Sequence, residues 1–108
     1  MGYIKHHSIV VTSSIDELIK SAHEKAKELF KGCVSGIIDS KINGYNSFFI
    51  APDGSKEGWG TSDTGDENRK SFVDWCNEQS YEDGSNSLSY CELFYGEDNG
   101  YSEIVSHN

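Results

Sequence analysis

Between positions 15 and 30 the apolar residues Ile15, Leu18, Ile19, Ala22, Ala26, Leu29 and Phe30 recur at steps of three and four. That spacing lines one side of an α-helix and leaves the other side to lysines and glutamates. Ser14-Ile15-Asp16-Glu17 has the form of a capping box, and Gly32 supplies a residue suited to a left-handed stop. Just upstream, 4–12 is rich in β-formers and contains the consecutive Ile9-Val10-Val11, the pattern of a strand covered on both faces. A one-sided helix following such a strand must lay its stripe on the sheet, so the chain is expected to be an α+β domain.

The remaining segments extend this reading. Residues 34–42 and 45–50 flank Asn43-Gly44, a pair that accepts positive φ at both turn positions and so predicts a hairpin. Pro52-Asp53-Gly54 ends the second of these strands and opens a long glycine-rich connection around Trp59. Thr64-Gly65-Asp66-Glu67 resembles a second capping box, predicting a helix striped by Phe72, Val73, Trp75 and Cys76 that ends near Gln79. Two further strands are expected over 88–95 and 101–106, separated by a polar turn. The order β-α-β-β-α-β-β predicts a two-layer sandwich over 1–108, a ferredoxin-like core with an extra C-terminal antiparallel strand and both helices on one sheet face. The competing arrangement is a different α+β meander with the final hairpin at the centre of the sheet.

The core is expected to be thin. Leu, Ile, Val and Phe make up 23 of 108 residues, close to the level at which a charged chain stays disordered. Thirteen aromatic residues offset part of that deficit, and self-association into a homo-oligomer would supply more burial. No apolar stretch approaches the roughly 20 residues of a membrane span, and the opening residues lack a signal-peptide profile. The expected setting is cytoplasmic, with no membrane partner. Cys33, Cys76 and Cys91 form neither a C-x-x-C pair nor a zinc-ligand spacing, so packed thiols in a reducing compartment are expected, with no metal and no cofactor.

Charge is uneven along the chain. Residues 1–50 carry six lysines against five acids, whereas 51–108 carry Lys56, Arg69 and Lys70 against thirteen acids, within a total of −9. An acidic half of this kind repels duplex DNA and anionic membranes and attracts partners that grip phosphates.

Few residues carry recognisable chemistry. His6 and His7 are adjacent on a strand and so point to opposite faces, which disfavours a shared metal ion. One of them, with Thr12 or His107, could line a pocket for a phosphorylated ligand. His6-His7-Ser8 contains the H-x-S form used by two-histidine phosphoesterases, but no second copy follows, which argues against that enzyme class. Asp63, Asp66 and Glu67 read as the acidic first turn of a helix and not as a divalent-metal site. Phosphate-loop, dinucleotide and nucleophile-elbow motifs are all missing from the sequence. Arg69, the only arginine, and Lys70 mark a possible anion site, although either one could pair with Asp66, Glu67 or Asp74. Trp59 sits in a glycine-rich loop, where an aromatic ring either plugs the core edge or stacks on a ligand.

Three stretches resemble a group of small proteins encoded by tailed bacteriophages and prophages. They are the opening Gly2-Tyr3-Ile4-Lys5-His6-His7-Ser8-Ile9-Val10-Val11-Thr12-Ser13, the middle Asn43-Gly44-Tyr45 with Ala51-Pro52-Asp53-Gly54-Ser55-Lys56-Glu57-Gly58-Trp59, and Tyr81-Glu82-Asp83-Gly84-Ser85. The resemblance assigns no catalytic residue. It implies an accessory phage protein in an infected bacterium, of a size that commonly acts by interaction or sequestration. The leading expectation is a non-enzymatic binder that sequesters a nucleotide-type signal of host defence. In it Tyr45, Trp59 and Tyr81 stack on the base, while His6 or His7, Thr12, Arg69 and Lys70 take the polar groups. The alternative is an acidic nucleic-acid mimic that occupies a host protein, and a weaker one is a small histidine-dependent phosphodiesterase.

Overall fold

The structure of the chain, a computed structural model, describes residues 6–54, 60–96 and 102–108. Along the chain run β1 (His6–Ser13), α1 (Asp16–Phe30), a 3-10 turn (Lys31–Cys33), β2 (Ile38–Asp39), β3 (Asn46–Ile50), α2 (Gly60–Glu78), β4 (Leu88–Tyr95) and β5 (Glu103–His107). The result is a mixed α and β fold of two helices and one five-stranded antiparallel sheet. Its strands lie in the order β2-β3-β1-β4-β5. Among the described residues no helix is long and apolar enough to cross a membrane.

β1 is the middle strand, paired antiparallel with β3 on one side and β4 on the other. Its alternation settles which residues meet the helices. Val11 lies between Phe48 and Tyr90, and Ile9 between Ile50 and Glu92, on the side covered by α1 and α2. Ile19, Ala22 and Ala26 of α1 and Phe72 and Cys76 of α2 close over them, with Leu88 completing a single core. Val10, between Phe49 and Cys91, points the other way.

Several element ends differ from the sequence reading. The box at Ser14 does not cap α1. The N-cap position falls on Ile15 with no side-chain cap, and the buried Ser13 hydroxyl instead accepts the Ile15 N–H at 3.1 Å and donates to the Ser87 carbonyl at 2.8 Å. Ser13 can do both because β1 carries it inward, whereas Ser14 is exposed. Lys31, not Gly32, takes the positive φ (53°) at the helix end. The expected strand 34–42 shrinks to two residues plus one bridge from Val34 to Ile50. The cause is Ser35, whose hydroxyl accepts the Phe49 N–H at 2.8 Å in place of a backbone carbonyl and interrupts the ladder. α2 starts at Gly60, so Thr64 lies inside it, its hydroxyl bonded back to the Gly60 carbonyl at 3.1 Å. β5 begins at Glu103; Tyr101, the start expected from sequence, lies outside the described residues.

The Asn43-Gly44 turn has positive φ at both positions (56° and 71°), with the Tyr45 N–H reaching the Ile42 carbonyl at 3.4 Å. These are the φ signs of a type I′ turn.

Candidate functional site

A cavity of about 220 Å³ opens where the C-terminal end of α1, the end of β3, the first half of α2 and the start of β1 converge. Leu29, Phe30, Ile50 and Pro52 supply apolar wall, while His7, Cys33, Asp53, Thr61, Thr64, Asn68 and Arg69 supply polar groups. His7 reaches it because β1 alternation puts it on the same side as Ile9 and Val11, with its ring 5.8 Å from that of Phe94. Asn68 donates from Nδ2 to the Leu29 carbonyl at 3.0 Å, satisfying an acceptor near the end of α1 and tying the two helices together beside the cavity.

Arg69 forms the boundary between this cavity and a second, shallower groove. That groove, of about 320 Å³, is lined by His7, Asp66, Arg69, Lys70, Val73, Glu92, Val105 and Ser106. The guanidinium pairs with Asp66 one turn back on α2 and with Glu92 of β4 at 3.6 Å. The Arg69 and Glu92 side chains are only 12% and 13% exposed, so this pair links helix to sheet in a largely dry setting. Ser106 of β5 donates to Glu92 Oε1 at 2.9 Å. Lys70 points outward and pairs with Asp74 at 3.0 Å, with both groups exposed. A Cβ at Gly65 would lie 3.1 Å from Arg69 Nη1, so the absence of a side chain there gives the guanidinium its room. Comparison with protein-family models, with curated proteins and with solved structures found no match for this chain.

His7, Arg69 and Lys70 are thus brought together. His6 is on the opposite face of β1, its ring 5.6 Å from that of Tyr95. Thr12 also faces outward and shares a hydrogen bond with Ser47 at 2.8 Å. Tyr45 and Tyr81 lie at the other end of the sheet. Tyr45 adjoins Asn46, which pairs with Ser13, and the Tyr81 hydroxyl bonds Ser87, whose carbonyl accepts from Ser13. From His7 to Ser13 the strand rises about 20 Å at ~3.4 Å per residue. Within one copy of the chain, those rings and the Arg69 guanidinium belong to separate places. Trp59 lies outside the described residues.

The sequence reading missed Glu92, Asn68, Cys33 and Asp53. Glu92 left a trace in the sequence, as a lone carboxylate within the otherwise uncharged strand Leu88–Tyr95, a position that calls for a cation or a hydroxyl nearby. The others become neighbours only through helix packing. Among the described residues no group of three His, Cys, Asp or Glu side chains is placed to hold a metal ion.

Proposed function

We propose that this chain is a small phage-encoded binding protein, non-enzymatic, that sequesters a nucleotide-type molecule used in host defence. The observation that carries the reading is the His7–Arg69 cavity, whose apolar walls and converging polar groups follow the general composition of small-molecule sites. Its volume suits a base-sized or phosphate-sized fragment, with the rest of the ligand extending over the groove beside Lys70. Asp66 is largely exposed, so an incoming anion can replace it on Arg69 at small cost. The phage setting and the cytoplasm of an infected cell rest on the sequence resemblance. The arrangement of strands and helices supports a ferredoxin-like core of β1, α1, β2, β3, α2 and β4 with β5 added beside β4.

Calorimetry against linear and cyclic mono- and dinucleotides tests this reading. We expect heat of binding for at least one of them, reduced at least about tenfold in affinity, or ~1.4 kcal/mol, by Arg69→Ala and by His7→Ala. Tyr45→Ala and Tyr81→Ala should leave a one-copy site unchanged. Absence of binding across the panel overturns the reading.

One observation favours the second reading, an acidic mimic of nucleic acid that occupies a host protein. Two of the three cations in 51–108, Arg69 and Lys70, are tied to carboxylates of the chain itself, while among the described residues Asp63, Glu67, Glu78 and Glu82 are exposed. Capture of a basic host protein that weakens steeply with salt would support it.

A further inference from the structure

The outer face of the sheet does not have the composition of a solvated face. In an antiparallel sheet covered on one side, polar and charged residues ordinarily take the open side. Here the charged residues of the strands are Asp39, Glu92 and Glu103, and all three fall on the helix-side register. The outward register carries no Asp, Glu, Lys or Arg, in a chain of which 25% is charged. Across the sheet from β2 to β5 it presents Ile38, Phe49, Val10, Cys91, Leu93 and Ile104. Val10, on the middle strand, is 42% exposed, and Ile38 and Ile104 at the two edges are 65% and 60% exposed.

We propose that this face is the contact between two copies of the chain, packed sheet against sheet about a two-fold axis near Val10. The absence of charge selects the second copy over another partner. In a two-fold contact the same patch faces its own copy, so acids on the face without matching cations would be set against one another. A foreign partner imposes no such restriction and would gain attraction from acids on a chain of net charge −9. A face with neither acids nor cations removes that repulsion for self-association of a chain of net charge −9.

The dimensions of the sheet set the size of the contact. Strands of 8, 2, 5, 8 and 5 residues, about 4.8 Å apart and rising ~3.4 Å per residue, make a footprint of roughly 450 Å². With Ser8 of this face only 1% exposed, the contact is of the smaller class, below the ~800 Å² per partner of a standard interface. The contact goes beyond the ligand reading and does not depend on it, since the His7–Arg69 cavity opens on the helix side.

Sedimentation equilibrium of the full chain tests the proposal, with Val10→Glu and Ser89→Glu on the face and Ser71→Glu on an exposed position of α2 as control. Ser89 is an exposed outward residue of β4, so a glutamate there tests the contact without disturbing the core. Far-UV circular dichroism verifies that each variant is folded. We expect a dimer for the wild type and Ser71→Glu, and at least about a hundredfold weaker association for both face variants. A wild type that remains monomeric at about 100 µM, or a dimer that survives Ser89→Glu, overturns the proposal.

Discussion

Cys76 is fully buried on α2, and desolvation pushes its thiol from 9.0 up to about 12. The folded protein therefore keeps this proton after the unfolded chain has lost it, so stability falls as pH rises from about 9 toward about 12. At about pH 10.5 the loss through this one group is about 2 kcal/mol. We expect urea melts at about pH 8 and about pH 10.5 to show it as a wild-type decrease that Cys76→Ala lacks by that amount. Lys31 is a second residue under constraint. Its φ of 53° and ψ of −119° form a backbone pair open to glycine and strained for any residue with a Cβ. Lys31→Gly is expected to raise stability by about 1 kcal/mol, read as a higher urea midpoint at unchanged slope.

Among the elements, α2 is the one whose placement rests most on polar contacts. Phe72 anchors it in the core between the rings of Phe30 and Trp75, and three polar ties act around that anchor. Asn68 bonds the end of α1, the Tyr90 hydroxyl of β4 donates to Asn77, and Arg69 pairs with Glu92. The ion pair is the costly one to break singly, because the remaining partner keeps its charge at a site about one-eighth exposed. Arg69→Met and Glu92→Gln are each expected to cost about 1–3 kcal/mol. The double variant should cost less than the two together, giving a coupling of about 1–2 kcal/mol in a denaturation cycle. Additive losses would mean that the pair is screened and contributes little to holding α2 on β4. At the far end of β4 the loop before the strand is fixed by its own chemistry. Ser85 donates both its hydroxyl and its backbone N–H to Asp83, which holds that carboxyl below its usual range.

For the molecule as a whole, charge and burial divide the surface into regions with different uses. The helix side holds the His7–Arg69 cavity and the ion pairs, whereas the outer sheet face presents apolar residues, hydroxyls and the histidines His6 and His107, with no Asp, Glu, Lys or Arg. This division lets ligand binding and self-association be tested independently. Arg69→Ala is expected to weaken nucleotide binding at least about tenfold while leaving the association state unchanged, and Ser89→Glu to weaken association while leaving nucleotide binding unchanged. Tyr45 and Tyr81 are about half exposed, far from Arg69, and so are available for contacts that the cavity does not make.

The sequence by itself determined the kinds of element and their broad succession, because each is encoded by a periodicity or turn chemistry confined to a few neighbouring residues. The stripe from Ile15 to Phe30, the Asn43-Gly44 turn and the strand from Leu88 are of this kind. Where elements end was legible only in part. Ser13 displaced Ser14 at the start of α1, and Ser35 cut short the strand that follows the helix, because in each case a hydroxyl found a backbone partner that a linear reading does not display. The candidate site was legible in His7, Arg69 and Lys70 and not in Glu92, Asn68 or Cys33. Only the tertiary structure set Arg69 against Glu92 and placed Tyr45 and Tyr81 at the opposite end of β1, since strand order and helix packing decide distances between residues remote in the chain.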